Sequence, residues 1–481
     1  MAKRFSRKID LAASIYRAHG LRGLLIGMVN FCSGYDSFRG LPEPGSGEVI
    51  RKKADPPAIL PPRCILPAEQ SEGQWLASKA DAETEGMITE LRLCGKRINP
   101  ARESCKGRLL LLSHELSRTG APGVLLEAAK LLCEAGYYVA VAAPDAEGPQ
   151  PTALAEDFVQ LGIPIYLDRS LLFGRLGNPM PAGPCASPFF HRLCEAFDAV
   201  LCNSFATHNI VKELNGGEKP VIWWIHEGKR FYEDVRPEYY PLPLRENVQV
   251  YCVGKYAQAM LQELSVPIGT RSLLYGIEDR AELYPIRAHE KVRFVICGSI
   301  DRQKNQLTMV RAIARLTPQE RENAEFLFVG GYADEGYYQK VVRAAKGLDC
   351  IRFLGILPNR EVLALYAASD CVALPSIDDT MPVVLTEGMM LRRIILCSRR
   401  TGTAYYLEEG KSGFLFDPND VKELSEKLRY ILAHIHDPAL RSMGEAARRI
   451  YEQEFTTEVF RRDLLAAVEE ARSGRQKSEE V

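Results

Sequence analysis

From Arg108 onward the chain alternates short, uniformly apolar runs with stretches whose apolar positions recur every three or four residues. RLLLLSH is the first run, and after the loop ELSRTGAPG the segment VLLEAAKLLCEAG carries helical spacing. YYVAVAAP and PTALAEDFVQLG repeat the strand–helix pair. IPIYLD, DAVLCNS and PVIWWIHE add further short runs, with helical or irregular pieces between them. Runs this apolar, separated by helices, predict strands of a parallel sheet buried on both faces. The pattern then restarts. VRFVICGS, AEFLFVGG, IRFLG, DCVALPS, RRIILCS and GFLFD read as strands; NQLTMVRAIARL, EGYYQKVVRAAKGL, NREVLALYAAS, PVVLTEGMM and DVKELSEKLRYILAH read as helices. The expected architecture is α/β: two doubly wound, Rossmann-like domains facing across a cleft at the carboxyl ends of their strands, where such sheets bind ligands.

Ahead of Arg108 the periodicity is sparse. Pro42, Pro44, Gly45 and Gly47, then Pro56-Pro57 and Pro61-Pro62, predict an extended linker, with a short helical patch around Met87 to Leu93. Earlier still, Phe5, Ile9, Ala12, Ala13 and Tyr16, then Leu21, Leu24, Leu25 and Met28 beyond Gly20, fall at helical spacing among Lys3, Arg4, Arg7, Lys8, Arg17 and Arg22. Such an amphipathic helix suits an anionic membrane surface and a protein surface equally. Its apolar part is too short to cross a bilayer, and no secretory signal is visible. The chain therefore divides into an amphipathic helical extension (1–34), a Pro/Gly-rich linker (35–106), an N-terminal Rossmann-like domain (107–270), a C-terminal one (271–450), and a helix crossing back to the first domain with a tail (451–481). A cytoplasmic location is expected, with peripheral contact at the inner membrane face through residues 1–30.

Composition narrows the picture. At 481 residues the chain exceeds what one core usually fills, which supports two domains. A formal net charge of −1 gives no reason to expect a nucleic-acid partner. The 13 cysteines include no C-x-x-C pair and none at zinc-finger spacing with histidines. Cys252, Cys297, Cys371 and Cys397 lie inside apolar runs and read as small buried hydrophobes in a reducing compartment.

The densest candidate chemistry is LPSIDDTMPVVLTEGMM. A strand leads through IDDTM into a helix beginning near Pro382, which puts Asp379 at a strand end in the cleft and Glu387 in the second helical turn. The free amides of Met381, Val383 and Val384 face the same cleft, and a helix start of this kind holds phosphate through its amides and dipole. Arg302 and Lys304, in GSIDRQKNQLTM, follow another strand end on the same wall; a guanidinium grips a diphosphate with parallel bonds and an ammonium supplies a point charge. In the first half, VIWWIHE ends with His226 and Glu227 near the cleft, and His114 stands at another strand end; each histidine suits packing as readily as chemistry. Gly120 and Gly123, in Thr119-Gly120-Ala121-Pro122-Gly123, let backbone approach a ligand closely where a helix opens, although the loop matches neither G-x-G-x-x-G nor a P-loop.

The segment 376–387 resembles the S-x-x-E-x-x-P-x-x-x-x-E region of family-four retaining glycosyltransferases of group 1 type, whose fold is GT-B. The resemblance runs from about Arg108 to Phe460 and is clearest between Val292 and Asp420. It implies that 271–450 is the donor domain and 107–270 the acceptor domain, like those of bacterial members acting on cell-surface polysaccharides. Glu387 matches the glutamate that binds the donor ribose, and Asp379 stands where the family has its first glutamate. Lys304 matches the diphosphate-binding lysine. Ser299 occupies the place of the usual arginine, leaving Arg302 as its substitute. Backbone near Leu354 and Gly355 corresponds to the nucleotide-base contact, and His226 to a histidine near the donor's reactive carbon. The implied reaction moves a hexose from a UDP- or GDP-sugar to a glycan or lipid-linked glycan hydroxyl with retention. It needs no cofactor and no divalent metal, and the two domains close around donor and acceptor. A non-catalytic partner subunit, kept open by Asp379 and Ser299, and a same-fold nucleotide-sugar epimerase are the alternatives.

Overall fold

The four leucines of Arg108–Ser113 divide between two cores: Leu109 and Leu111 pack into one cluster of buried residues, Leu110 and Leu112 into another. A strand whose successive side chains point to opposite faces must be apolar throughout when both faces are covered, which is why the run carries no alternation. The computed structural model describes residues 98–474 except Thr119, 146–152, 172–185, 234–242 and 264–268, together with the strands Arg63–Pro67 and Ile88–Leu91.

Strands β1 (Arg63–Pro67), β2 (Ile88–Leu91), β3 (Arg108–Ser113), β4 (Tyr138–Ala143), β5 (Ile165–Leu167), β6 (Ala199–Asn203), β7 (Val221–Ile225), β8 (Val248–Cys252) and β9 (Thr270–Ser272) form one sheet in the order β2-β1-β5-β4-β3-β6-β7-β8-β9. Its described helices are α1 (Gly120–Glu134), α2 (Ala155–Gln160), α3 (Pro188–Glu195), α4 (His208–Leu214), α5 (Lys229–Glu233) and α6 (Lys255–Glu263). A second sheet runs β12-β11-β10-β13-β14-β15, from β10 (Val292–Cys297), β11 (Ala324–Val329), β12 (Ile351–Gly355), β13 (Cys371–Leu374), β14 (Ile394–Ser398) and β15 (Phe414–Phe416). With it come α7 (Gln306–Ala314), α8 (Pro318–Glu322), α9 (Glu335–Ala344), α10 (Asn359–Ala367), α11 (Val383–Met390), α12 (Val421–His434), α13 (Pro438–Glu454) and α14 (Thr457–Ser473). The second sheet is parallel throughout, and the first is parallel except where β1 meets β5. In each sheet the order reverses beside the first strand of the doubly wound unit, at β3/β6 and at β10/β13, and those are the places where such sheets open a ligand crevice.

Three differences from the sequence reading have physical reasons. Residues 63–67 and 88–91, read as linker and as a helical patch, are strands: β1 pairs antiparallel with β5 and parallel with β2, extending the sheet edge. Tracts of four or five residues carry too few positions for period 2 and period 3.6 to be told apart. The first sheet extends through Ser272, because the short, polar β9 gains its place from pairing with β8 and not from an apolar run. The closing helical stretch is two helices. The chain breaks at Phe455, whose carbonyl accepts from Ile277 N–H (2.9 Å), and Thr456 caps α14 by accepting from Val459 N–H. Helix α14 then lies on the first domain: Phe460 packs on Trp224 (ring centroids 5.7 Å apart) and Glu470 pairs with Arg271. The amphipathic stretch 1–34 lies outside the described residues.

Candidate active site

The C-terminal half of the site is built at the β10/β13 switch point. After β10 the backbone turns at Gly298 (φ 145°), which leaves room for the Lys304 stem to fold back over it. After β13 the loop Ile377–Asp379 is tied to the loop after β10: Ile377 N–H donates to Gln303 O (2.7 Å), and Gln303 Nε2 donates to Asp378 O (2.8 Å). Asp379 is held from the other side, its N–H on Arg400 O (3.1 Å) and its carbonyl taken by Gly402 N–H (2.8 Å). These bonds bring Lys304 Nζ onto Asp379 Oδ2 as a partly buried ion pair. Burial alone would depress Lys304, but Asp379, together with Asp301, outweighs it and lifts the lysine above its ordinary pKa. The ammonium is thus fixed in its charged form beside the carboxylate.

Helix α11 begins next to this pair. Pro382 is its N-cap, and no side chain caps it. Among the described residues the amides of Met381, Val383 and Val384 meet no acceptor, so the positive end of the helix, just past Asp379, carries free N–H groups. One turn on, Glu387 is buried and its Oε1 accepts from Asn359 Nδ2 (2.8 Å). Burial raises the Glu387 pKa above the usual carboxylate value, with Asn359 partly opposing the shift. At the end of β12, Gly355 adopts φ 71° and its carbonyl accepts from Gly330 N–H (2.8 Å), so its oxygen is already engaged; Leu354 beside it is half-buried.

Arg302 stands apart from this cluster. Its guanidinium is exposed, 3.5 Å from Asp334 and over the Tyr337 ring. Two residues before Lys304, it leaves the turn on the outer side while the lysine folds inward over Gly298.

The facing wall comes from the β3/β6 switch point and from β7. His226 Nε2 lies 2.7 Å from Asn203 Oδ1, and Asn203 Nδ2 donates to Ala121 O (3.0 Å). The second bond fixes which end of the amide faces the imidazole, so Nε2 carries the proton and Nδ1 keeps its lone pair. Burial, reinforced by nearby His114, pushes the His226 pKa down to about 3, which keeps the ring neutral. Glu227 is a local brace: it accepts from Ser204 Oγ, Phe205 N–H (2.9 Å) and its neighbour His226 N–H (3.0 Å), holding Ser204 at φ 91°. Gly120 and Gly123 form the first turn of α1 and are not part of a loop; a Cβ at either would meet nothing within 4 Å. Asn359 and Asn203 are site-shaping residues that the sequence reading missed. The only signal for them is position, each being an amide-bearing residue at a strand end or helix start on the cleft edge.

Two facing doubly wound domains, with the candidate residues at both switch points, define the GT-B architecture. The chain belongs to the group 1 glycosyltransferases: residues 284–450 match the family described as Glycosyl transferases group 1, and residues 106–240 match Glycosyl-transferase family 4. Sulfoquinovosyl transferase SQD2 of Arabidopsis thaliana is 30% identical over 163 residues, covering 33% of this chain and 30% of that protein. D-inositol 3-phosphate glycosyltransferase of Corynebacterium jeikeium is 26% identical over 156 residues, 31% of this chain and 37% of that protein. The matched stretches thus span about a third of these relatives' own length. The crystal structure of Anabaena HepE in complex with UDP shares the fold, with a TM-score of 0.60 and 16% identity over 76% of this chain and 99% of that one. No helix among the described residues is long and apolar enough to cross a membrane, and none of their His, Cys, Asp and Glu side chains form a group of three able to hold a metal ion.

Proposed function

We propose that this protein transfers a hexose from a UDP- or GDP-sugar to a hydroxyl of a glycan or lipid-linked glycan, with retention at the anomeric carbon. The observation that carries this reading is the Lys304–Asp379 ion pair beside the uncapped start of α11, with buried Glu387 one turn further on. A diphosphate placed there meets an ammonium and a row of free amides, and the nucleotide ribose meets a carboxylate. The bond from the sugar's anomeric carbon to the diphosphate oxygen breaks, and the acceptor oxygen bonds to the same face. The acceptor's proton passes to the departing diphosphate. Lys304 and the α11 amides stabilise the charge that develops on the leaving group, the part a divalent cation plays in metal-dependent transferases. Asp379 and the neutral His226 orient the sugar hydroxyls. The inner membrane face is the proposed place of work, through residues 1–30. Purified protein incubated with UDP-, GDP- and other nucleotide sugars should release nucleotide from one of them, with or without a candidate acceptor, and Glu387→Ala should abolish the release. Failure to bind any donor by calorimetry would sink the catalytic reading and favour a partner subunit.

A further inference from the structure

Two neighbouring aspartates in the loop after β13 point to different domains. Asp379 pairs with Lys304 of its own domain. The Asp378 carboxylate, only 6% exposed, accepts from Arg230 N–H (2.9 Å) at the start of α5 and from Tyr256 OH (2.6 Å) in α6, both in the N-terminal domain. We propose that Asp378 is a positioning residue, a clasp that locks the donor loop onto the N-terminal domain and sets His226 and Asp379 in register across the cleft.

Three observations carry it. Among the described residues, the donors to this buried carboxylate come from the opposite domain, and a buried carboxylate without donors is strongly unfavourable, so the contact stabilises one domain arrangement over others. The lever is short: Arg230 and Gly228 belong to the same segment as His226, and Asp378 is bonded to Asp379. Finally, Gly228 is shaped for the contact. A Cβ there would lie 2.5 Å from Asp378 Oδ1 and 2.9 Å from Oδ2, so any side chain would push the carboxylate off its two donors. The seam continues beyond the clasp, with Tyr256 against Tyr405 (ring centroids 5.6 Å apart) and Tyr275 OH on Met381 O (2.8 Å), so the aspartate closes an interface that is already packed.

The role in transfer rests on the function proposed above, but the clasp itself does not, and the experiment separates them. Asp378→Ala, Gly228→Ala and Tyr256→Phe are compared with the unaltered protein by hydrogen exchange over residues 226–233, by calorimetry with UDP and with GDP as probes, and by kcat and KM for the active donor. Asp378→Ala and Gly228→Ala should each speed exchange at the Arg230 amide about tenfold or more, with Tyr256→Phe intermediate. Nucleotide affinity, which depends on groups of the C-terminal domain, should change less than about threefold, while kcat falls about tenfold. Unchanged exchange in both alanine variants overturns the clasp. Faster exchange with unchanged kcat, or equal losses in nucleotide affinity and kcat, overturns the positioning role. If neither nucleotide binds the unaltered protein, the transferase reading falls and the exchange data still decide the clasp.

Discussion

Glu387 works against the stability of the protein that carries it. Burial raises its pKa, so its charged form is disfavoured in the folded state, and its contribution to stability is greatest at acid pH and is lost as pH rises through the shifted value. Glu387→Gln should therefore raise the melting temperature at pH 7 while weakening nucleotide binding about tenfold, the worth of one charge-assisted hydrogen bond. A lower melting temperature in differential scanning would refute that account. Histidines carry the opposite sign. Burial holds His226 at about 3 and His208 at about 4, against an ordinary 6.5, so the unfolded chain takes up protons that the folded one refuses. Stability should fall as pH drops from 6.5 toward 4, by up to ~1.4 kcal/mol per pH unit per histidine. Urea midpoints at pH 7 and pH 5 test this, and His208→Gln should shrink the difference. At this scale the placement of Lys304 and Asp379 just past strand ends, and of Glu387 in the second turn of a helix, was legible in local sequence. Asn203, Asn359 and Asp378 were not, since each acquires its role from a partner on an element 23 to 148 positions away.

Among the elements, the loops at the switch point depend on close backbone approach more than on side chains. Gly402 has no room for a side chain: a Cβ would sit 1.7 Å from Thr380 O, a backbone atom of the donor loop. Gly402→Ala should destabilise the protein by roughly 2–4 kcal/mol and weaken nucleotide binding, because relieving the clash moves Asp379 off Lys304. Gly269→Ala, where a Cβ meets nothing within 4 Å, should leave urea midpoints and nucleotide affinity unchanged. Loss of stability without loss of binding in Gly402→Ala would separate the loop from the site. The central strands announced themselves because burial on both faces demands unbroken apolar runs. β1, β2 and β9 did not: they are short, lie at or next to the ends of the sheet and are set by pairing, and no periodicity marks them. Arg302 shows the same limit in reverse. The family resemblance offered it as the substitute for the arginine missing at Ser299, but it lies exposed beside Asp334 while Lys304 folds over Gly298 onto Asp379.

For the molecule as a whole, α14 joins the ends of the fold. It follows the C-terminal domain in sequence, but buries Phe460, Leu464, Ala467 and Val468 in the core shared with α1 and β7, and Arg472 donates to Lys106 O (3.3 Å). A chain ending at Phe455 should lose soluble yield and bind a hydrophobic dye, because the face around Trp224 is left bare, and a peptide of residues 457–473 supplied in trans should restore it. Full solubility without α14 would show that the first domain covers itself. The sequence reading expected two strand–helix series and a closing helix that crosses back to the first domain, where α14 lies against Trp224 and Arg271; the break at Phe455 that divides the closing stretch into two helices carried no signal. The order of synthesis makes this arrangement a matter of timing. The ribosome finishes β9 about 185 residues before it completes the first turn of α14, so at roughly 5–20 residues per second the first domain waits about 10–40 seconds for its last layer. Throughout that interval the nascent chain presents an uncovered apolar face, and holding it apart from its neighbours falls to chaperones and not to the fold.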